Sequence, residues 1–268
     1  MYKLRVGTSL SVLEDNVYEK LDEIIENGFD TVDVGICSKW HWRDQEIEAM
    51  KKLPERLELV MRSGIAINAV HISFGHHWDF ASHIPEKRQE ALDNLKAILP
   101  MLDSCNPYCY VIHGSFEPIA PEHRAAEIEA LKDSLKQITS WTKTPIAVES
   151  LPRTCLFNTA AEGIDILDGI DNVYVCCDVN HFLFEKSEDA VLALGKRIIT
   201  THISDHDYEN ERHWLPGDGK IDWMALIGAF EKIGYNGVFN FEVISSHSPT
   251  VLKKKYDELF EQYNAIDK

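Results

Sequence analysis

Two carboxylates stand inside stretches that are otherwise apolar, Glu149 in "PIAVES" and Glu242 in "VFNFEV". A carboxylate buried without a partner is expensive, so each needs a counter-charge, and one divalent cation would serve both. Other candidates occupy the same kind of place. Asp178 and His181 close the run "VYVCCDVNH", His202 closes "IITTH", and His71 and His113 close "AINAVH" and "YVIH". Two Glu, one Asp and one His form an oxygen-rich donor set with a single imidazole. That set suits Mn²⁺, Mg²⁺ or Co²⁺ and tolerates Zn²⁺ or Fe²⁺. An ion held this way beside two carboxylates supports proton transfer next to a carbonyl, drawing charge onto the oxygen while a carboxylate takes the proton. Taken singly, each residue has a plainer role at a strand end, and Asp178 also suits a helix cap. It is the set that points to a metal.

The neighbouring thiols Cys176 and Cys177 read as packing. Successive strand residues face opposite sides, so turning Asp178 inward sends Cys176 inward and Cys177 under a helix. Six cysteines without a C-x-x-C pair predict reduced thiols. Trp40, Trp42, Trp78 and Trp214 fall in loops that follow strands. Rings placed there would stack on the C–H faces of a sugar and shut water out of the site. The stretch 204–223 carries His213 and Trp214 just before the turn pairs Pro216-Gly217 and Asp218-Gly219. Its length and position read as a functional lid.

Positioning these residues requires a repeated unit. Eight β-rich runs alternate with amphipathic ones, at 4–8, 31–35, 66–72, 110–114, 146–150, 173–178, 198–204 and 237–243. Between them lie helix patterns such as 14–28, where Val17, Leu21, Ile24 and Ile25 mark one face and Gly28 supplies the stop, and 222–237, where Asp222 is placed to cap. Eight units in 268 residues average about 33 each, the size of one unit in a (β/α)8 TIM barrel. No linker-like segment breaks the alternation, so residues 1–268 are expected to form a single α/β barrel domain. An open doubly wound sheet shows the same alternation, but "GTSLSVLED" follows the first strand where a dinucleotide fold carries G-x-G-x-x-G. In a barrel the C-terminal strand ends form the active rim, which is where the candidates fall.

A net charge of −17 disfavours nucleic acid, whose affinity comes largely from neutralised phosphates. Lys253 to Lys255 read as the solvated face of a helix. No run is long and apolar enough to span a membrane and the N-terminus has no apolar leader, so a cytoplasmic protein is expected.

Glu149 in "VES", Asp178-x-x-His181, His202 in "THISD", "HWLPGDGKIDW" and Glu242 together resemble the sugar phosphate isomerase/epimerase family of xylose isomerase-like TIM barrels, along essentially the whole chain. The resemblance to the ketose 3-epimerase branch implies a sugar isomerase or epimerase with one divalent metal ion on Glu149, Asp178, His202 and Glu242. It further implies that the two glutamates are the catalytic bases and that His181 contacts substrate. His71, His113, His213, Arg153, Trp40 and Trp214 complete the expected substrate site, and Arg212 is a second candidate cation. Cys155 and Tyr208 stand where that branch has a substrate-binding Glu and an Arg, which leaves the ketohexose itself open. The chain also resembles endonuclease IV of the same superfamily through His71, His113, Glu149, Asp178, His181, His202, His213 and Glu242, with Glu211 in place of an Asp. This second resemblance implies a multinuclear centre that adds His71, His113, His181 and His213, and a phosphodiesterase as the alternative activity. A barrel that binds sugar or metal without catalysis is a third reading. The expected partner is a small-molecule sugar, with no nucleic acid and no membrane, and the resemblance implies a homo-oligomer.

Overall fold

The β-branched runs form eight parallel strands among the described residues: β1 (Arg5–Ser9), β2 (Thr31–Gly35), β3 (Ala66–His71), β4 (Cys109–His113), β5 (Ile146–Glu149), β6 (Val173–Asp178), β7 (Ile198–His202) and β8 (Val238–Phe241). Each lies within a residue or two of its predicted run. The computed structural model describes residues 1–10, 21–36, 43–244 and 247–266, with the side chains of 43–48 left aside. The strands follow chain order from β1 to β7, and β8 lies beside β1. Closure comes from a bridge between Ile203 and Phe241 just beyond β7. Ile203 N–H donates to Asn240 O at 2.8 Å and Glu242 N–H to Ile203 O at 3.0 Å. The result is the predicted TIM barrel.

Helices α1 (Leu21–Glu26), α2 (Arg43–Ser63), α3 (Pro85–Asp103), α4 (Pro121–Thr139), α5 (Ala160–Leu167), α6 (Ser187–Leu194), α7 (Trp223–Ile233) and α8 (Pro249–Ala265) alternate with the strands. The helix expected over 14–28 is described from Leu21 onward, so Val17 lies outside the described residues. Asp222 caps α7 by accepting from Ala225 N–H at 3.0 Å, and Gly28 follows α1 at φ 79°, as a C-terminal glycine should. Among the described residues no helix is long and apolar enough to cross a membrane.

Strand alternation decides what faces the barrel axis. Ala69, Cys109, Val111, Ala147 and Cys176 form a small buried interior cluster from β3 to β6, whereas Cys177 joins the larger core under the helices. Two residues beyond the inward Ala69, Val111, Ala147 and Cys176 come His71, His113, Glu149 and Asp178. A period of two therefore delivers all four side chains to the same C-terminal rim.

Candidate metal centre at the C-terminal rim

Glu149, Asp178, His202 and Glu242 converge. Four ligand atoms, one from each, all lie within 4.8 Å of one another, and all four residues are buried. His113 and Glu149 are register partners, as are Asp178 and His202. Strand β8 ends at Phe241, two residues short of its predicted run, so Glu242 follows the strand and is anchored by its own N–H on Ile203 O. His202 Nδ1 lies 3.1 Å from Glu242 Oε2 and 3.4 Å from Glu149 Oε1.

Carboxylates this close cannot all stay charged without a cation. Burial, with the charges of Glu242 and Glu149, pushes the Asp178 carboxyl well above the usual range. Burial opposes ionisation of Glu149 too, but His113 and His202 hold it well below the usual range. Glu242 goes down to about 2 because His202 outweighs its burial. Burial likewise disfavours an imidazolium at His181, yet Asp178, Glu211 and Glu149 lift it to about 10. Asp178 Oδ2 and His202 Nδ1 are both buried without a hydrogen bond. An anionic nest with an orphaned carboxylate oxygen and an orphaned imidazole nitrogen fits a divalent cation of the hard or borderline class.

Three of the remaining histidines, His71, His181 and His213, are oriented in one sense. His71 Nδ1–H donates to Ile72 O at 2.8 Å, and its Nε2 meets Glu149 Oε2 at 2.9 Å. His113 Nε2 lies 3.2 Å from the same oxygen. His181 donates from Nδ1 to Ser150 O at 2.8 Å and presents Nε2 to Glu211 at 3.2 Å. His213 donates from Nδ1 to Glu242 O at 3.0 Å. A ring whose Nδ1–H is fixed on a backbone carbonyl keeps Nε2 aimed into the site, where an ion can replace its proton, the arrangement that prepares imidazoles for metals. Further groups that could hold an ion include His71 with His113 and Glu149, and His181 with Glu211 and His213.

Residues 21–262 match the family model described as the xylose isomerase-like TIM barrel. The chain belongs to that family. It is 26% identical over 261 residues to the uncharacterized protein y4fM of Sinorhizobium fredii, covering 85% of this chain and 81% of that protein. An L-ribulose 3-epimerase of Mesorhizobium japonicum is 33% identical over 95 residues, 34% of this chain and 30% of that protein. The crystal structure of a D-tagatose 3-epimerase-like protein superposes with a TM-score of 0.82 at 20% identity, covering 97% of this chain and 98% of that one. At that identity the likeness is one of fold.

Within this xylose isomerase-like barrel, several expected substrate contacts have other surroundings. Trp78 is 2% exposed and belongs to the hydrophobic core, so it offers no open face to a sugar, which corrects its expected place on the rim. Trp214 is 38% exposed with the Arg212 guanidinium over its ring. Arg212 also pairs with Asp207 at 2.7 Å. Arg153 is held between Glu117 and Glu211, at 2.5 and 2.9 Å. Its charge is balanced within the loops, and the rim is tied together through it to His181. Trp40 and Trp42 lie outside the described residues.

The loop after β7 is built on Asp205, which sequence reading passed over. Its Oδ1 accepts from the N–H of His206 and Ile221 at 2.9 and 3.2 Å. Its Oδ2 accepts from Gly217 N–H and Trp223 Nε1–H at 2.7 and 2.9 Å. This explains the "PGDGKIDW" pattern: a Cβ on Gly219 would lie 2.3 Å from Asp205 Oδ1, so only glycine fits. The pinned loop carries Glu211 and His213 over the rim.

Proposed function

We propose that the chain is a metal-dependent sugar epimerase or isomerase, moving a proton on the carbon next to a carbonyl of a small sugar, sugar phosphate or polyol-derived keto compound. The observation that carries this reading is the meeting of two buried glutamates from β5 and from beyond β8 at one imidazole nitrogen, 3.4 and 3.1 Å from His202 Nδ1. Family membership supports it, as do the names of the epimerase relatives. Glu149, Asp178, His202 and Glu242 would hold the ion, which when bound supplies a Lewis acid for the sugar oxygens. Glu242, at the more open edge of the nest, takes the proton from carbon on one face. Glu149 serves the opposite face. His71, His113, His181 and His213 hydrogen-bond the sugar hydroxyls, while Trp214 and Arg153 belong to the wall and rim. Conversion of a panel of ketopentoses and ketohexoses, lost on chelation and in Glu242→Gln, tests the proposal. A folded, metal-loaded protein that converts none of them would count against it.

One observation favours a second reading. Glu149 is ringed by four imidazoles, with His71 and His113 on Oε2 and His181 and His202 nearest Oε1. A carboxylate so surrounded suits a bridge between two ions, and the His181, Glu211 and His213 group would add a third, as in the endonuclease IV-like alternative. The charge of −17 weighs against a DNA substrate. Elemental analysis separates the two: one ion per chain supports the epimerase pattern and three the multinuclear one, with cleavage of an abasic duplex as the corresponding activity.

A further inference from the structure

Beneath the rim lies a carboxylate that the proposed chemistry does not use. Asp33, the third residue of β2, is fully buried and receives four N–H donors. Oδ1 accepts from Asn68 Nδ2–H at 2.7 Å and Ala69 N–H at 3.0 Å. Oδ2 accepts from Asn240 Nδ2–H at 3.0 Å and His202 Nε2–H at 3.3 Å. A register shift makes this convergence. Val32 pairs with Ile67 but Asp33 with Ala69, leaving Asn68 as the extra residue of a bulge, and bulges re-aim side chains. Asn68 also donates to Thr200 Oγ1 at 2.9 Å. A polar layer from β2, β3, β7 and β8 thus lies across the barrel axis, next to the apolar cluster of β3 to β6.

We propose that Asp33 is a positioning residue for the metal centre, holding His202 by an Nε2–H bond so that Nδ1 points among Glu149, Asp178 and Glu242 and is the nitrogen offered to an ion. The inference rests on the metal-centre reading above. A purely structural carboxylate needs only backbone or amide donors, and three of the four here are of that kind. The fourth is the one imidazole of the proposed four-ligand set, and its other nitrogen is buried without a hydrogen bond. A carboxylate behind a ligating imidazole fixes the tautomer and ring plane and raises its basicity. The order of donors leaves no substitute. An Asn at position 33 offers one oxygen and one NH₂ to four N–H groups, so in either orientation two donors face a donor.

Metal-stripped wild type, Asp33→Asn and Asn68→Ala, each checked by circular dichroism, are titrated with Co²⁺ against a chromogenic chelator. Asn68→Ala disturbs the same layer while leaving the Asp33 to His202 contact in place. Positioning predicts affinity lower by about 10–100-fold in Asp33→Asn, and a clearly smaller loss in Asn68→Ala. Equal losses in the two variants, or unchanged affinity in Asp33→Asn, would overturn it. If Asp33→Asn does not fold, nitrogen-15 NMR of the zinc-loaded wild type decides. A hydrogen-bonded proton on His202 Nε2 with Nδ1 on the metal is expected, and coordination through Nε2 refutes the proposal. Wild type that binds no metal would sink the metal-centre reading itself, an outcome distinct from either variant result.

Discussion

Replacing Asp205 by Asn should release the loop after β7. The wild-type carboxylate takes four donors on two oxygens, from His206, Ile221, Gly217 and Trp223. Asn keeps the shape but supplies one acceptor oxygen, so two donors lose their partner. At about 1–3 kcal/mol for each unsatisfied buried donor, the cost is about 2–6 kcal/mol. The damage should be local first. Trp214 N–H donates to Asp205 O and Lys220 N–H to His206 O, at 3.1 and 2.7 Å, and neither bond involves the altered side chain. These two amides therefore report whether the loop opens as a unit. Hydrogen exchange read by mass spectrometry should show them exchanging at least about 30-fold faster in Asp205→Asn, the equivalent of about 2 kcal/mol. Exchange within about threefold of wild type would show that the loop is held elsewhere and refute the assignment of Asp205 as its anchor.

Two further outcomes follow from the site and its surroundings. Burial holds His206 down to about 4, from an ordinary 6.5, and both its ring nitrogens lack partners. The unfolded chain then takes the proton first as pH falls, so about 3 kcal/mol of stability present above pH 6.5 is lost between there and pH 4. The urea midpoint should drop over that window and flatten in His206→Leu, and an identical slope in the variant would contradict this. Mn²⁺ or Co²⁺ at 100 times its dissociation constant should stabilise wild type by about 2.7 kcal/mol, and a thermal shift assay should show the gain greatly reduced in Glu149→Gln.

The barrel was legible because β-branched alternation and helical periodicity are local properties, and each strand was read within a residue or two. The rim was legible for a related reason. Glu149, Asp178 and Glu242 are charges in apolar runs, an anomaly visible in one dimension. Asp33 in "TVDVG" carries the same signal and was passed over inside a strand that otherwise fitted its pattern. Side-chain direction in loops was not legible. Trp78 and Trp214 follow strands alike, yet one is core and the other surface, because packing against distant elements decides. Arg153 meets Glu117 and Glu211, 36 and 58 positions away, and no spacing rule foretells such a contact.

The proposed activity requires proton transfer at carbon between Glu149 and Glu242. The most direct measurement is proton NMR of D-tagatose, D-psicose and L-ribulose incubated with metal-loaded protein in D₂O, following the hydrogen on the carbon beside the ketone. The proposed activity predicts loss of that signal for at least one sugar as solvent deuterium enters, at a rate falling to background in Glu242→Gln. Epimer formation with the original hydrogen retained in the product would contradict it.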